Sequence, residues 1–213
     1  SDVVDFFIYS QISFPISDNL KLYLGGRLNY NELNALFSDT QTYNFPFSEI
    51  KNKNRSVVSS ALINYKISPD FILNASVYSG FRNPNLDDVG KVFSKNDNYV
   101  VIPNSHLSPE KSKNIELGFK STLINNVQID FQLFNTIINN AISRQNGALN
   151  GQDSILYDGE MMKIQMNKNI ESANISGLNF ECTYTLNKDI IINSNCNYIV
   201  GRTIDNSPLA HIP

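Results

Sequence analysis

Apolar and polar side chains alternate along much of this chain, and this alternation restricts the possible folds more than any other feature. Between Leu20 and Tyr30, every second residue is leucine, glycine or tyrosine, whereas the other face carries Lys21 and Arg27. Three further segments alternate in the same way: 127–133, 178–186 and 192–200. A period of two residues is that of a half-buried β-strand, whereas an amphipathic helix repeats about every 3.6 residues. The sequence therefore predicts an all-β fold.

The connections between the predicted strands alternate in length. Four less regular strands bring the total to about eight: 5–15, 55–67, 71–82 and 113–121. Short turns alternate with long polar loops along the chain. The short turns lie at 16–19, 68–70, 123–126 and 187–189, and the long loops lie at about 32–54, 83–112 and 144–160. A soluble domain seldom has several such loops, whereas outer-membrane barrels carry short turns on one side and long loops on the other. We therefore predict a wholly antiparallel meander of neighbouring strands with almost no helix. Asn-Gly and Asp-Gly pairs predict a small hairpin within the last loop.

Charged residues are absent from the apolar faces of the clear strands. A Lys or Arg at a lipid-facing position near mid-membrane costs about 2–4 kcal/mol, which gives this segregation a physical cause. On the convex, lipid-facing side we expect Leu22, Leu24, Leu28, Ile129, Phe131, Leu133, Phe180 and Tyr198. On the concave side we expect Arg27, Gln128, Asp130, Glu181 and Asn195. The alternative is a soluble β-sandwich, whose core face also excludes charge.

The net charge, the lengths of the apolar runs and the lack of catalytic motifs exclude several classes of function. The formal net charge is −3 and no basic cluster occurs, so no nucleic-acid partner is expected. No apolar run approaches the ~20 residues that a membrane-spanning helix needs. No catalytic motif is present, so the sequence predicts neither an enzyme nor a cofactor. The two histidines, His106 and His211, are far apart in sequence, and no metal site is predicted.

Two sequence blocks carry a resemblance to a known family. The segment 79–86 reads Ser-Gly-Phe-Arg-Asn-Pro-Asn-Leu, and 104–118 reads Asn-Ser-His-Leu-Ser-Pro-Glu-Lys-Ser-Lys-Asn-Ile-Glu-Leu-Gly. In this order they resemble the barrel signature of TonB-dependent receptors, in which a strand ending in Gly-Phe-Arg-x-Pro precedes a loop and Asn-x-x-Leu-x-Pro-Glu-x-Ser-x-Asn-x-Glu-Leu-Gly. Two weaker similarities follow: Asn169, Ala173, Gly177 and Glu181, with the Glu one residue late, and then 208–213. The resemblance covers about 20–213.

The resemblance implies an architecture and a function. Such receptors are barrels of about 22 strands with a plug, so residues 1–213 are expected to form about a third of the wall as an open sheet. The plug domain, the segment that contacts TonB and the remaining strands would be absent. The resemblance implies energy-coupled import of a scarce nutrient across the outer membrane of a Gram-negative bacterium, such as haem or a siderophore. The implied partners are TonB, through the absent plug region, outer-membrane lipid and a small nutrient ligand.

The same resemblance suggests where the ligand binds. The strand end and the following loop supply four candidate contacts: Arg82, Asn83, Asn85 and His106. Arg82 and Glu110 bracket this loop and are expected to pair at the rim. The stretch 81–93 is most similar to haem or haemoprotein receptors, and siderophores, vitamin B12 and glycans stay open as ligands. A different outer-membrane barrel, a porin or adhesin, and the soluble β-sandwich binding module are the alternatives.

Two cysteines flank the last predicted turn. If Lys188, Asp189 and Ile190 form a three-residue loop, Cys182 lies directly opposite Cys196, at a Cα separation of about 4.5–5.5 Å. Both sulfurs would then lie on the lipid-facing side. A cysteine there behaves as a small hydrophobic residue and needs no bond, so we expect the pair to be unbridged.

Overall fold

The computed structural model describes residues 1–36, 48–96, 98–123 and 126–203, which form one sheet of 11 strands and one short helix. The strands are β1 (Asp2–Ser17), β2 (Leu20–Leu36), β3 (Glu49–Ser68), β4 (Phe71–Arg82), β5 (Phe93–Asn96), β6 (Tyr99–Ile102), β7 (Glu110–Leu123), β8 (Val127–Asn146), β9 (Ser154–Tyr157), β10 (Glu160–Thr185) and β11 (Ile191–Thr203). The helix is α1 (Leu86–Gly90). In this part of the chain, no helix has the length and apolar character needed to cross a membrane. The all-β prediction is confirmed.

The long strands form the predicted meander. Each runs antiparallel to its neighbours in the order β1-β2-β3-β4-β7-β8-β10-β11. Within the described residues β1 pairs only with β2, and β11 only with β10, so the sheet is open, as predicted. A β-sandwich needs two sheets packed face to face. The soluble-sandwich alternative is therefore wrong.

The three short strands lie within the long connections. β5 and β6 pair antiparallel, and β6 then lies parallel to β10 along Lys163–Met166. The prediction of a wholly antiparallel sheet is wrong at this pairing, because the β4–β7 connection is long enough to reach across the sheet and lie beside β10. β9 pairs with β10 across Asp158 and Gly159, whose φ angles are 49° and 88°. This is the predicted small hairpin, since a type I′ turn needs positive φ at both central residues.

Several strands extend further into the long connections than the sequence predicted. β2 continues to Leu36 and β3 begins at Glu49, so the loop predicted at 32–54 is shorter. β8 likewise continues to Asn146. In the added part of β2 and β3, side chains alternate between buried and more exposed positions, and Leu33 is only 1% exposed. The ladder continues because these extensions contribute to a core of their own.

The strand register separates the two sets of side chains as predicted. Phe131 pairs with Phe119 of β7 and Phe180 of β10, and the Phe119 and Phe131 rings are 5.6 Å apart. On the opposite face Asp130 lies between Lys120 and Glu181, and its Oδ2 is 2.6 Å from Lys120 Nζ. All the residues expected to face lipid share the first face, called the apolar face below. All those expected on the concave side share the second, the polar face.

The apolar face is exposed along most of its length. Leu28 is 55% exposed, Leu133 45% and Tyr198 62%. An exposed apolar surface that continues along most of one face of a sheet marks contact with a membrane or another protein. β1 alternates less cleanly: Phe7 and Tyr9 lie on the polar face, where Arg27 stacks 4.2 Å from the centre of the Phe7 ring. A cationic neighbour makes this aromatic side chain compatible with a polar wall.

The register at the two cysteines differs from the prediction. Cys182 pairs with Ser194, and Cys196 pairs with Phe180, so the cysteines lie on one face but are offset by two residues. The last pair before the turn is Thr185 with Ile191. Leu186 N–H then donates to the Ile190 carbonyl oxygen at 3.0 Å, so the turn is centred on 187–189, and the predicted loop of Lys188, Asp189 and Ile190 is wrong. Both cysteines are free thiols, as predicted.

This register determines which cysteine pair can be oxidised. Diagonal neighbours across a ladder are about 7–8 Å apart, too far for a disulfide, whereas directly opposed Cα atoms are about 4.5–5.5 Å apart. We expect Cys182 and Cys196 to stay reduced under mild oxidation in the folded receptor. The variant Ser194→Cys with Cys196→Ser should form a disulfide with Cys182, detected by alkylation and mass spectrometry. A bridge in the unmodified protein but not in the variant would contradict the register.

Candidate ligand-binding loop

The β4–β7 connection, described over 83–96 and 98–109, packs against the polar face at the loop end of the sheet. One buried cluster joins side chains from α1, from β2, from β3 and from the end of the connection: Val89, Leu33, Ala35, Ile50 and Leu107. Asn52 of β3 also donates through Nδ2 to the Leu107 carbonyl at 2.9 Å. Leu33 and Ala35 share the face of Arg27 by the two-residue period of the strand. The connection is therefore held against the wall on the polar side.

A second buried cluster holds the middle of the same connection. It contains two residues of β6, two of β10 and one of the β8–β9 turn: Val100, Ile102, Met162, Ile164 and Leu149. Val92, before β5, packs at its edge. The parallel pairing of β6 with β10 brings these side chains together. Two separate cores thus fix the connection, one near β2 and β3 and one near β10.

Three charged side chains meet where β4 ends and β7 begins. Arg82 Nη1 lies 2.6 Å from Asp88 Oδ2, and Arg82 Nε lies 2.5 Å from Glu110 Oε2. The Asp88 and Glu110 side chains are 16% and 18% exposed, whereas Arg82 is 44% exposed. Glu110 Oε1 also accepts from the backbone N–H of Ile142 at 2.6 Å. The predicted pairing of Arg82 with Glu110 is confirmed, and it joins both ends of the connection to β8.

Asn85 is the N-cap of α1. Its Oδ1 accepts from the Asp88 backbone N–H at 2.8 Å, and its own N–H donates to Asp88 Oδ2 at 3.0 Å. This reciprocal arrangement is a capping box, which satisfies backbone donors that the first turn leaves free. Asp88 Oδ2 therefore accepts hydrogen bonds from both the Asn85 backbone N–H and Arg82 Nη1. Two of the four candidate ligand contacts meet at this one carboxylate.

Asparagine side chains hold the connection to β10. Asn104 donates to the Asn167 carbonyl at 2.8 Å, and Asn167 donates to the Asp88 carbonyl at 3.0 Å. Asn169 donates to the carbonyls of Ser108 and Asn140 and accepts from the Ser108 N–H, all within 2.7–2.9 Å. An amide side chain can donate and accept at once, so it can replace a ladder partner where the backbone is irregular. The sequence indicated Asn169 only by resemblance and gave no role to Asn167.

Glu116, in the second sequence block, lies on the polar face of β7. Its carboxylate accepts hydrogen bonds from three side chains of neighbouring strands: from Tyr78 at 2.5 Å, from Gln132 at 2.8 Å and from Ser76 at 3.1 Å. Buried or half-buried carboxylates need such donors to offset the cost of leaving water. The network joins β4, β7 and β8 across the wall. Glu116 therefore acts as a structural residue of the polar face.

The other two candidate contacts differ from Arg82 and Asn85. The Asn83 Oδ1 atom is buried and has no hydrogen-bond partner among the described residues. His106 is exposed, and its backbone N–H donates to Asn104 Oδ1 at 3.0 Å. No contact of the described residues joins the His106 imidazole to the other three. In the same part of the chain, no group of three His, Cys, Asp or Glu side chains is arranged to hold a metal ion.

The sequence matches a family model over nearly its whole length. The matching family is described as TonB dependent receptor-like, beta-barrel, and the match spans residues 2–213. This chain belongs to the TonB-dependent receptor β-barrel family. The match confirms the family that the two sequence blocks indicated, and it removes the porin and adhesin alternatives. A search of curated protein sequences found no match.

Solved structures of similar fold include, by their names, a transporter and two receptors. The copper transporter OprC superposes on this TonB-dependent receptor barrel with a TM-score of 0.73 at 14% identity, covering 98% of this chain and 30% of its own. The ferric yersiniabactin uptake receptor FyuA from Yersinia pestis gives 0.64 at 17% identity, covering 98% and 28%. The Serratia marcescens hemophore receptor HasR, in complex with its hemophore HasA and heme, gives 0.72 at 14%, covering 93% and 34%. The chain thus spans about a third of these proteins, and the likeness shows the fold.

Proposed function

We propose that this chain supplies wall and outer loops to a receptor that imports a scarce nutrient across the outer membrane of a Gram-negative bacterium. The observation that carries the proposal is the division of the sheet into an exposed apolar face and a polar face covered at one end by a packed loop. A lipid-facing wall needs the first, and a lumen that receives a ligand needs the second. The family match supports the same assignment. Energy would arrive through TonB, which contacts the plug of the complete receptor.

The nutrient is proposed to be a metal or a metal complex. The similar structures are, by their names, a copper transporter, a ferric yersiniabactin uptake receptor and a hemophore receptor bound to heme. Binding and release of such a cargo are non-covalent, so the segment has no catalytic role. Haem and ferric siderophores are the two classes to test first.

We propose that the four candidate contacts have different roles, some binding the ligand and others holding the loop. His106 is exposed and its imidazole has no described partner, so it is available to a ligand. Asn83 carries a buried acceptor atom without a partner and lies next to the charged group. Arg82 and Asn85 are bound to Asp88 and act by holding the loop in place. Loss of a holding residue would disturb loop position, whereas loss of His106 would change affinity alone.

The import function can be tested in cells that lack the complete receptor. We expect restored growth on the cargo as sole iron or copper source when the full receptor is supplied, and no restoration in a strain without TonB. Haem, a ferric siderophore and a copper salt would be offered separately. Growth that is independent of the receptor or of TonB for all three cargoes would contradict the proposal.

Replacing His106 with alanine is expected to weaken cargo binding by the full receptor without affecting its stability. A lost hydrogen bond or metal contact at an exposed loop costs about 1–2 kcal/mol, or about five- to thirtyfold in affinity. Titration calorimetry would give the affinity, and thermal unfolding would give the stability. The neighbouring substitution Ser105→Ala is the matched control and should change neither. Equal affinity in both variants would remove His106 from the set of contacts.

A further inference from the structure

Two aromatic side chains of β1 lie on the polar face, where a wet wall would carry polar residues. Phe7 pairs with Asn29 and Tyr9 with Arg27, which places both rings on this face. Phe7 is 49% exposed and Tyr9 is 72% exposed, and their ring centres are 6.4 Å apart. Aromatic surface in contact with water is unfavourable, and covering it with another molecule is favourable. Contact of the apolar face with lipid does not explain these two rings, because they lie on the opposite side of the sheet.

A groove of about 500 Å³ adjoins the two rings on the polar face. Its lining includes side chains or backbone of four neighbouring strands: Phe7, Tyr9, Gly25, Arg27, Val58 and Tyr78. In one row across the sheet, Tyr9 pairs with Arg27, and Arg27 pairs with Val58. In the next row, Ser60 pairs with Gly25 on one side and with Tyr78 on the other. We call this set the aromatic groove, and its volume is that of a site for one small molecule.

The floor of the aromatic groove is low because Gly25 has no side chain. A Cβ atom added at Gly25 would lie 2.6 Å from Ser60 Oγ of the neighbouring strand. Tyr78 lies beside this floor, and its hydroxyl donates to Glu116 at 2.5 Å, which holds the ring in place. A glycine within a strand often marks a close approach of a ligand to the backbone. The aromatic groove can therefore admit a flat molecule close to the wall.

Arg27 alone is charged among the described residues that line the aromatic groove. Its guanidinium carbon lies 4.2 Å from the centre of the Phe7 ring, and its Nη2 donates to Asn29 Oδ1 at 3.1 Å. An amide oxygen carries no formal charge, and Arg27 forms no salt bridge within the described ranges. The guanidinium also has further N–H donors, which are arranged to bind a carboxylate at two points. The aromatic groove thus contains a cation without a counter-charge.

Two carboxylates of the polar face near the aromatic groove have other partners. Asp5 precedes Phe7 by two residues on the same face of β1, and its Oδ1 accepts from Asn31 Nδ2 at 2.9 Å. Glu116 accepts from Tyr78 and from two further side chains. Neither carboxylate is within salt-bridge distance of Arg27. An anion from outside the described residues is therefore the partner that this guanidinium lacks.

We propose that the aromatic groove binds a flat aromatic anion, such as an aryl carboxylate. The carboxylate accepts hydrogen bonds from the Arg27 guanidinium, and such charge-assisted bonds are stronger than neutral ones. The aromatic ring of the ligand covers Tyr9, since tilted and offset aromatic pairs are favourable beyond the area that they bury. The proposal rests on the proposed function in one respect, that the polar face lines the lumen. It adds the chemical group that a cargo presents to this part of the wall.

Fluorine NMR of the full receptor tests this binding. The probe is a fluorinated naphthoate, which is flat and anionic, titrated with receptor in detergent micelles. We expect its signal to shift and broaden as it binds. The fluorinated decahydronaphthoate keeps the charge without the aromatic ring, and the fluorinated naphthamide keeps the ring without the charge, so both should bind more weakly. Equal binding of all three probes would overturn the proposal, and so would a lack of naphthoate binding because another part of the receptor fills the groove.

Two substitutions test the cation and the ring separately. Arg27→Gln should bind naphthoate about ten- to a hundredfold more weakly, because a hydrogen bond to a charged group is lost. Arg55→Gln is the matched control, since Arg55 also lies near an aromatic ring, 5.9 Å from the centre of Tyr30, but on the apolar face. It should bind naphthoate as the unmodified receptor does. Tyr9→Ser should bind about three- to tenfold more weakly, whereas Tyr9→Phe keeps the ring and should retain binding.

Thermal unfolding of each variant separates lost binding from a folding defect. Unchanged naphthoate binding by both Arg27→Gln and Tyr9→Ser, or an equal loss in Arg55→Gln, would overturn the proposal. Import is measured separately, as TonB-dependent growth of cells with the unmodified receptor. A receptor that binds naphthoate but supports no such growth would contradict the import function alone.

Discussion

Replacing Gly177 with alanine is expected to destabilise the barrel wall severely. A Cβ atom at this position would lie 2.4 Å from the Tyr198 carbonyl oxygen of β11 and 2.6 Å from Cζ of Phe134 in β8. The ring could turn aside, but the backbone oxygen belongs to the ladder and cannot move without separating β10 from β11. Overpacking costs about 1–3 kcal/mol, and a clash with backbone places this variant near about 3 kcal/mol.

The measurement is urea unfolding of the full receptor in lipid vesicles, followed by the fraction that migrates as a folded band without heating. Gly26→Ala is the matched control, because an added Cβ there would meet only the Val58 carbonyl oxygen at 3.9 Å, an ordinary contact. We expect a clearly lower midpoint for Gly177→Ala and less than about 0.5 kcal/mol for Gly26→Ala, as is usual for a substitution without a clash. Equal midpoints would show that β10 and β11 are not so closely paired.

Gly177 shows how a sequence resemblance acquires a physical reason. The sequence indicated this glycine only as part of a weak pattern with Asn169, Ala173 and Glu181. In the structure it lies between β8 and β11, and the Phe134 ring lies where its missing side chain would be. A glycine within a strand often marks such a close approach of another chain segment. Alternation alone could not reveal it, because the partners are distant in sequence.

The strands and their faces were predictable from sequence because both depend on local alternation. Leu20–Tyr30 and 127–133 occur as strands with the expected faces. A shift by one residue would exchange the two faces of a strand, so the apolar face constrains register to even steps. Charge exclusion and a two-residue period therefore determined most of the wall. They did not determine by which even number of residues two neighbouring strands are offset.

The register predicted at the last turn was wrong by one such even step. Both the predicted and the observed register keep Cys182 and Cys196 on one face, and they differ by two residues. The Asn187 side chain accepts from the N–H groups of Asp189 and Ile190 at 2.9 and 3.0 Å, which closes the turn over 187–189, one residue earlier than predicted. Asparagine readily forms such side-chain turns. Asn187 was thus the signal that favoured the turn over 187–189.

The β4–β7 connection was the least predictable part, because local alternation does not determine its position either. Its position depends on Asn104, Asn167 and Asn169, whose partners lie 29 to 79 residues away in sequence. No periodicity records such long-range contacts. The resemblance placed Arg82, Asn85 and Glu110 near the rim, and the structure adds that Arg82 and Asn85 both bind Asp88. The ligand contacts themselves depend on a cargo that the sequence does not specify.

Replacing Leu133 with arginine is the sharpest test that the apolar face meets lipid. Leu133 lies between Leu117 and Leu178 near the middle of this face and is 45% exposed. An arginine at the centre of a lipid-facing strand costs about 2–4 kcal/mol, whereas a water-exposed surface would accept it at little cost. We therefore expect a loss of this size in urea unfolding of the full receptor in vesicles, together with fewer folded molecules in the membrane.

The matched control for Leu133→Arg is Gln132→Arg, one residue away on the polar face. Gln132 donates to Glu116 at 2.8 Å, and an arginine there can keep a bond to the same carboxylate. The control should change stability by less than about 1 kcal/mol, because a cation beside an acid on a wet wall is neither buried nor unpaired. The difference between the two variants isolates the lipid environment, since both introduce the same side chain into the same strand. If both lose stability equally, or if Leu133→Arg loses none, the apolar face does not face the membrane interior.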